Sequence, residues 1–146
     1  MEVICYSFEE TKKFASRLSK KFQRGQVIAL NGDLGSGKTT FSQGFAEGLG
    51  IEQHVGSPTF KLVSEYVGEA LKLYHVDCYR LNNADEFLNL GGENLLLPDN
   101  GITLIEWANI IQELLPEDVI EIVFFRVKGQ PNERLLKIRG MDKSDE

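Results

Sequence analysis

Residues 32–39, GDLGSGKT, match the pattern G-x-x-x-x-G-K-[ST] at every fixed position. Glycines let such a segment curl so that successive backbone N–H groups point inward at phosphate oxygens, and the positive end of the following helix adds to the attraction. The lysine reaches the outer phosphates, and the final hydroxyl supplies an oxygen ligand to magnesium. The pattern therefore predicts a phosphate-binding loop, and its expected contact residues are Gly35, Ser36, Gly37, Lys38, Thr39 and Thr40.

The residues on either side of this loop have the character that the motif requires. Residues 26–31 form a continuous apolar run, typical of a strand buried on both faces of a largely parallel sheet. Downstream, Phe41, Phe45 and Leu49 recur every four residues, which indicates a helix with one buried face. The motif alone should arise by chance in about one sequence per hundred, and here it also lies between a strand and a helix. We therefore predict an α/β protein with the P-loop NTPase fold.

Patterning along the rest of the chain predicts a mixed, mostly parallel sheet of seven strands flanked by helices. Ser7 and Glu10 form a capping box that opens the first of three main helices. The other strands are predicted at residues 3–6, 59–67, 71–77, 102–106, 119–127 and 134–139. The last two are joined by a turn at 129–132, a short helix covers 85–90, and loop signals fill 91–101. Residues 1–140 are predicted to form one domain, with a flexible tail at 141–146.

Composition narrows the classes of protein to consider. The chain has 146 residues, of which 42% are hydrophobic and 26% charged, as expected for one globular domain. No apolar run approaches the roughly 20 residues that span a bilayer, and no basic signal-peptide segment opens the chain, so we expect a cytoplasmic protein without membrane contact. Cys5 and Cys78 form no C-x-x-C pair and fit a reducing compartment. Because the net charge of −6 repels nucleic acid, we expect no DNA binding and contact with RNA only through a partner.

Nucleotide hydrolysis also needs carboxylates, and two predicted strands end in one. Glu106 closes the buried strand at 102–106, where ligands of open α/β sheets gather, and we interpret it as the Walker B acid that binds magnesium. The alternative is a strand-end carboxylate that faces solvent. Asp77 shares one face of its strand with His75 and is expected to hold a metal-bound water or to accept a proton from the attacking water. His75 fits a functional residue and a core histidine equally well.

Three further features allow more than one interpretation. Ser57-Pro58-Thr59 is a rigid extended step, in which the threonine senses a γ-phosphate, or it is an ordinary turn. Thr11 lies on the buried face of the first helix and either meets the adenine or bonds a carbonyl one turn earlier. The arginines are scattered singly and none has the setting of an arginine finger, so hydrolysis should be slow unless a partner completes the site.

Four motifs follow one another along the chain: the phosphate loop at 31–41, VGSPTF at 55–60, HVDCYRL at 75–81 and IEW at 105–107. In this order they resemble the TsaE (YjeE) family, the bacterial ATPases of the tRNA threonylcarbamoyladenosine pathway. The resemblance spans nearly the whole chain. It departs at Ser36, where the family often has alanine, at Cys78, where it usually has leucine, and in the loop-rich residues 91–101.

This resemblance implies an ATPase in which Lys38 binds phosphate, Thr39 and Glu106 bind magnesium, and Asp77 lies near the catalytic water. It also implies nucleotide contacts from Thr11 and Arg134, and switching or partner contacts from Ser57, Pro58, Thr59, His75, Tyr79, Arg80 and Trp107. Proteins similar to this one act with TsaB and TsaD, which modify the adenosine next to the anticodon of tRNAs that read codons beginning with A. Hydrolysis there resets the complex for another turnover. The resemblance therefore implies weak Mg-ATP hydrolysis alone, stimulation by TsaB and TsaD, and tRNA contact only through the complex.

Three other functions compete with this one. A small-molecule kinase of the P-loop class needs an acceptor site and usually an arginine-bearing lid, and the chain has no arginine cluster. A GTPase would carry an N-K-x-D segment, which the sequence lacks. A nucleotide-binding module without activity is the third. Replacement of Lys38 or Glu106 by alanine separates it from an ATPase, since turnover is lost only in the latter.

Overall fold

A seven-stranded sheet forms the centre of the fold, with the strand that precedes the phosphate loop in its middle. A computed structural model describes residues 1–56 and 62–141. The strands are β1 (Glu2–Cys5), β2 (Val27–Gly32), β3 (Val63–Val67), β4 (Lys72–Asp77), β5 (Gly101–Glu106), β6 (Ile120–Val127) and β7 (Gln130–Arg139). The helices are α1 (Phe8–Ser19), α2 (Lys38–Gly48) and α3 (Ala84–Asn89), with 3₁₀ segments at Gly92–Leu96 and Ala108–Leu114.

The strand order is β1-β7-β6-β2-β5-β4-β3. The four central strands, β6, β2, β5 and β4, pair in parallel, and the pairs at both flanks are antiparallel. Because the carboxyl ends of parallel strands meet at one edge of a sheet, this topology brings Gly32, Asp77 and Glu106 together. The mixed seven-stranded sheet with flanking helices confirms the predicted fold class, with parallel pairing confined to the centre.

Both faces of the central strands are covered, which explains their continuous apolar sequences. α1 and α2 pack on one face, where the fully buried ring of Phe41 meets Phe124 edge-on with centroids 5.5 Å apart. α3 and the 3₁₀ segments pack on the other face, where Phe87 and Ile111 are fully buried. Each such side chain contributes roughly 1.5–3 kcal/mol on burial, so both layers stabilise the strands that carry the site.

α1 and α2 approach each other at backbone distance because Gly44 of α2 has no side chain. A Cβ atom at this position would overlap the carbonyl oxygen and Cα of Lys12 in α1. α1 itself begins after Ser7, whose hydroxyl accepts a hydrogen bond from the Glu10 N–H at 3.1 Å, as the predicted N-cap requires. The start of α1 and its position over α2 are therefore both set locally by the sequence.

Several predicted boundaries were wrong. The apolar spacing of Phe14, Leu18 and Phe22 predicts one buried helix face, but α1 ends at Ser19, so Phe22 enters the core from the following segment. The turn between β6 and β7 lies at 128–129, and β7 begins at Gln130 inside the predicted turn. Pro131 is tolerated there because it precedes the residues that pair with β1 and lies at an irregularity in the β6–β7 register.

The predicted loop at 91–101 contains the 3₁₀ segment Gly92–Leu96, which begins where Gly91 reverses the chain with a φ of 79°. The 3₁₀ segment Ala108–Leu114 was not predicted. The predicted strand start at residue 59 and residues 142–146 of the predicted tail lie outside the described residues. Among the residues described, no helix combines the length and apolar character needed to cross a membrane.

Gly44→Ala is expected to lower the free energy of unfolding by about 1–3 kcal/mol, although alanine is the better helix former by about 1 kcal/mol. The added methyl group overlaps the Lys12 backbone and forces α1 to shift. Urea unfolding followed by circular dichroism measures the change. Glu47→Ala, an exposed position of the same helix, is the control and should stay within about 0.5 kcal/mol. Equal stability of Gly44→Ala and wild type would contradict the close helix contact.

Candidate phosphate-binding site

The loop between β2 and α2 turns tightly because glycine stands where other residues are strained. Gly35 and Gly37 have φ values of 74° and 110°, in the left-handed region that favours glycine. Gly37 is the N-cap of α2, so the free amides of the first helical turn open onto the loop. The Ser36 N–H donates to the carbonyl of Asp33 at 3.0 Å and closes a turn within the loop. The predicted phosphate loop thus has the curled backbone that its sequence requires.

Arg134 of β7 binds this loop through its carbonyl groups. Its Nε donates to the carbonyl oxygen of Ser36 at 2.8 Å, and its Nη2 donates to that of Gly35 at 3.2 Å. Its Nη1 donates to the carbonyls of Pro131 and Glu133, both at 2.7 Å. The guanidinium is buried, and that burial lowers its pKa. Arg134 therefore binds the loop backbone through two carbonyls and the start of β7 through two more.

A second arginine of the β6–β7 hairpin reinforces this contact, since Nη2 of Arg126 donates to the carbonyl oxygen of Leu34. In a trans peptide the C=O and N–H groups point in opposite directions. Carbonyls drawn towards the hairpin therefore turn the amides of Gly35 and Gly37 away from it. Both glycines line a cleft, and Arg134 lines part of it as well. The arginines bind the carbonyl groups of the loop and so orient its N–H groups.

The ammonium group of Lys38 lies inside the loop, with only 4% of the residue exposed. Its Nζ donates to the carbonyls of Gly32 at 2.6 Å and Asp33 at 2.9 Å, and to Oγ of Ser36 at 3.4 Å. The ring of Trp107 covers it, with Nζ 4.2 Å from the ring centroid, within cation–π distance. Neutral carbonyl, hydroxyl and aromatic groups thus surround the ammonium charge within the loop.

Burial lowers the pKa of Lys38, and the carboxylates of Glu106, Asp77 and Asp33 oppose that shift. None of the ion pairs within the described ranges joins Lys38 to these carboxylates. Acidic groups therefore surround the ammonium at a distance but do not neutralise it by contact. A phosphate oxygen at the loop would meet a cation whose hydration has already been removed.

Three oxygen-bearing side chains converge beside the loop. Asp77 and Glu106 are direct neighbours across the β4–β5 pair, and both are buried. The Thr39 hydroxyl, from the first turn of α2, donates to Oε1 of Glu106 at 3.4 Å. Oδ1 of Asp77 accepts the N–H of Tyr79 at 2.8 Å, and the imidazole Nε2 of His75 contacts Oε2 of Glu106. The predicted acids therefore lie at the predicted edge of the sheet, next to the predicted hydroxyl.

Trp107 has an unusual backbone for its size. Its φ of 59° makes it the one non-glycine residue with a positive φ in the described part of the chain. Its N–H donates to the carbonyl of Leu30 at 3.0 Å, and its ring packs on Tyr79 with centroids 5.0 Å apart. This left-handed conformation is energetically costly for a tryptophan. It directs the indole ring over Lys38, and Trp107 directly follows Glu106 in the chain.

These groups enclose a cleft of about 230 Å³. Its walls are the loop with the first turn of α2, the two strand-end acids, and the side chains of Phe8, Trp107 and Arg134. One wall offers backbone N–H groups and an ammonium, and the other offers a hydroxyl and two carboxylates. Such a cleft can bind a polyanion on one side and a divalent cation on the other.

A sequence profile of the family described as Threonylcarbamoyl adenosine biosynthesis protein TsaE matches residues 5–135. The chain belongs to the TsaE family. The tRNA threonylcarbamoyladenosine biosynthesis protein TsaE of Bacillus subtilis is 44% identical over 125 residues, which cover 86% of this chain and 77% of that protein. The protein of the same name from Treponema pallidum is 35% identical over 122 residues, covering 84% of this chain and 89% of that protein. The family predicted from the four motifs is confirmed.

A solved structure shares the architecture of this TsaE-family chain. The crystal structure of YdiB from Bacillus subtilis matches with a TM-score of 0.73 at 37% sequence identity. The match covers 94% of this chain and 83% of that one. With the sheet order and the loop geometry, this match confirms the predicted P-loop NTPase fold.

The structure brings most of the predicted site residues to this TsaE cleft. The predicted residues that line it are Gly35, Gly37, Lys38, Thr39, Thr40, Asp77, Glu106 and Arg134, and Trp107 covers it. Ser36, also predicted to contact phosphate, does not line it. Tyr79 reaches it only through its contact with Trp107, and its side chain is exposed. Arg80 is exposed and does not line the cleft. Ser57, Pro58 and Thr59 lie outside the described residues.

Thr11 does not line the cleft. Its hydroxyl donates to the carbonyl of Ser7 at 3.3 Å, one turn earlier in α1, which is the second of the two interpretations that the sequence allowed. The residue of α1 that does line the cleft is Phe8, whose ring also lies 5.5 Å from the guanidinium carbon of Arg134. The available signal in the sequence was an aromatic residue directly after the predicted N-cap Ser7.

Arg126 was missed because the arginines were judged by their spacing in sequence. In the sheet, Arg126 and Arg134 are paired across β6 and β7. The signal was the arginine at the end of the predicted strand 119–127, opposite another at the start of the predicted strand 134–139. The register that pairs them depends on the irregularity next to Val127, which the sequence pattern did not reveal.

The donor set of this cleft suits magnesium. Magnesium binds protein through one or two carboxylates or hydroxyls and takes its other ligands from water and phosphate oxygens. Thr39 and Glu106 provide a hydroxyl and a carboxylate 3.4 Å apart, with Asp77 beside them. Among the described residues, no group of three or more His, Cys, Asp or Glu side chains forms a complete protein cage. The site therefore fits a cation that the substrate helps to ligate.

Arg134→Lys is expected to lower the free energy of unfolding by about 1–3 kcal/mol, because a single ammonium cannot replace a guanidinium that is bonded to four carbonyls. Urea unfolding measures the change. Arg139→Lys, an exposed position on the same strand, is the matched control and should be nearly neutral. If both variants unfold at the same urea concentration as wild type, Arg134 does not hold the loop.

Proposed function

We propose that this chain is an ATP-binding, ATP-hydrolysing subunit of tRNA threonylcarbamoyladenosine biosynthesis. The observation that carries the proposal is the arrangement around Lys38. A buried ammonium and inward-facing loop amides stand opposite a threonine hydroxyl and a strand-end glutamate, across one cleft. Membership in the TsaE family connects this site to the tRNA modification.

In this proposal, the triphosphate of ATP lies along the loop. The amides of Gly35, Gly37 and the first turn of α2 donate to phosphate oxygens. Lys38 exchanges its contacts with the carbonyls of Gly32 and Asp33 for the β and γ phosphates. The exchange is favourable because an anionic oxygen is a stronger acceptor than a neutral carbonyl. Arg134 supports the loop through its carbonyls, and its position in the cleft also allows contact with the nucleotide.

Thr39 and Glu106 are the residues that would hold magnesium, and both lie at the carboxyl edge of the parallel strands. When bound, the ion would supply positive charge that stabilises the negative charge developing on the phosphoryl group. Asp77 is the remaining carboxylate of the cleft, and we assign to it the orientation of the attacking water or the acceptance of its proton. The proposed catalytic residues are therefore Lys38, Asp77 and Glu106.

Hydrolysis by the isolated chain should be slow. Arg134 is the one arginine of the described residues that lines the cleft, and its guanidinium already binds four carbonyls. An arginine that stabilises the transition state accelerates phosphoryl transfer by about 10³–10⁵-fold, and a partner must supply such a group here. We propose TsaB and TsaD as those partners, acting in the cytoplasm. The net charge of −6 fits partners that carry the tRNA.

Steady-state hydrolysis of Mg-ATP, measured with and without a TsaB–TsaD complex and tRNA, tests this function. We expect low activity alone and stimulation by the complex. Lys38→Ala and Glu106→Ala should each lower kcat by roughly 10²–10³-fold, because each removes a charge that acts on the transferring phosphoryl group. Both variants should still bind the partner complex. Lys72→Ala, which removes a partly exposed lysine paired with Glu65, is the control and should keep full activity.

Two results would contradict the proposal. Calorimetry that detects no binding of Mg-ATP by the folded wild type would exclude the assigned site. Phosphorylation of a small metabolite at a higher rate than ATP hydrolysis would instead identify a small-molecule kinase.

A further inference from the structure

His75 is fully buried beside the cleft, with an exposed fraction of 0%. It lies on β4 two residues before Asp77, and the β4–β5 register pairs it with Leu104, two residues before Glu106. All four side chains therefore face the α2 side of the sheet. The ring does not line the cleft, and it reaches the site only through its Nε2 contact with Oε2 of Glu106.

The imidazole of His75 contacts the site at one atom, Oε2 of Glu106. Within residues 1–56 and 62–141, Nδ1 of His75 has no hydrogen-bond partner. A buried N–H without an acceptor is costlier than a buried ring nitrogen without a donor, so we assign the proton to Nε2 and leave Nδ1 as an unpaired acceptor. The ring then donates one hydrogen bond, and Glu106 receives it. An apolar side chain would fill the same space without the cost of burying an unpaired nitrogen.

Glu106 needs such a restraint because it has two competing attractions. Its flexible side chain lies near the Thr39 hydroxyl, and the charge of Lys38 also attracts it. A direct contact with Lys38 would neutralise the ammonium and withdraw the carboxylate from Thr39. In the structure the bond from His75 occupies Oε2, and Oε1 stays directed at Thr39.

We propose that His75 is a positioning residue of the candidate magnesium site. Its Nε2–H fixes the carboxylate of Glu106 beside Thr39 and keeps it off Lys38. The proposal rests on the proposed function, since it concerns the same carboxylate. It assigns His75, for which the sequence allowed a functional role or a core role, to the support of Glu106.

His75→Gln and His75→Met form a matched pair of variants. The two replacements have nearly the same length and volume, but only glutamine carries an N–H donor, at the end of the chain where Nε2 of histidine lies. Tyr74→Phe controls for disturbance of β4, because it removes a bond to Asn100 at the neighbouring position on the opposite face. If His75→Met does not fold, His75→Asn replaces it, since its shorter amide cannot reach Glu106.

Magnesium is titrated into each variant saturated with ADP, with the fluorescence of Trp107 as the readout. Trp107 is the single tryptophan of the chain and covers the cleft. We expect His75→Met to raise the half-saturating magnesium concentration by about 10-fold or more, because the loss of an outer-shell partner typically costs 10–100-fold in metal affinity. His75→Gln should recover most of that loss, and Tyr74→Phe should match wild type. The magnesium concentration that half-saturates ATP hydrolysis should shift in parallel.

Two outcomes would overturn this role. If His75→Met and His75→Gln are impaired equally, only the shape of the ring matters. If His75→Met requires no more magnesium than wild type, Glu106 is positioned without His75. A wild-type protein that binds ADP but shows no response to magnesium would instead remove the metal site itself, and with it the proposed function.

Discussion

The buried ammonium group of Lys38 is the constraint on which the cleft depends. Removing a cation from water costs several kcal/mol even after relaxation, so the surroundings must compensate for it. The carbonyls of Gly32 and Asp33 and the face of Trp107 do so in part, and the field of the nearby carboxylates adds to them. None of these partners cancels the charge by direct ion pairing. The loop thus holds a cation that an anionic ligand can still attract strongly.

The β6–β7 hairpin explains how a flexible, glycine-rich segment keeps its N–H groups aimed at the cleft. Loop carbonyl groups that point into the cleft would repel phosphate oxygens and accept hydrogen bonds from the N–H groups that a phosphate needs. Arg126 and Arg134 bind the carbonyls of Leu34, Gly35 and Ser36. Because each trans peptide is planar, binding the Leu34 and Ser36 carbonyls turns the amides of Gly35 and Gly37 in the opposite direction. The two arginines therefore contribute orientation as well as charge, and they do so from residues about 90 positions away in sequence.

The sequence predicted the parts of the site whose positions depend on local geometry. The loop motif, the buried strand before it and the carboxylates that close two parallel strands place Lys38, Asp77 and Glu106 without knowledge of the whole fold. The sequence did not predict the role of Arg126, because that depends on a register irregularity between two antiparallel strands. It also placed a turn at Pro131, where the strand tolerates proline because no neighbour needs its N–H. The sequence thus predicted where the strand-end carboxylates lie, but it did not predict the pairing of Arg126 with Arg134.

Charge separation across the cleft unites these observations. Lys38 and the loop amides form one wall, Asp77 and Glu106 form the other, and neutral groups lie between them. If the two walls collapsed into a salt bridge, the fold would gain an internal pair and lose a binding site. Hydrogen bonds on both sides oppose this salt bridge. The carbonyls of Gly32 and Asp33 bind the ammonium, and Thr39 and His75 bind the Glu106 carboxylate. A ligand that carries phosphate and a divalent cation together satisfies both walls at once, whereas a bare polyanion would meet the acidic wall unscreened.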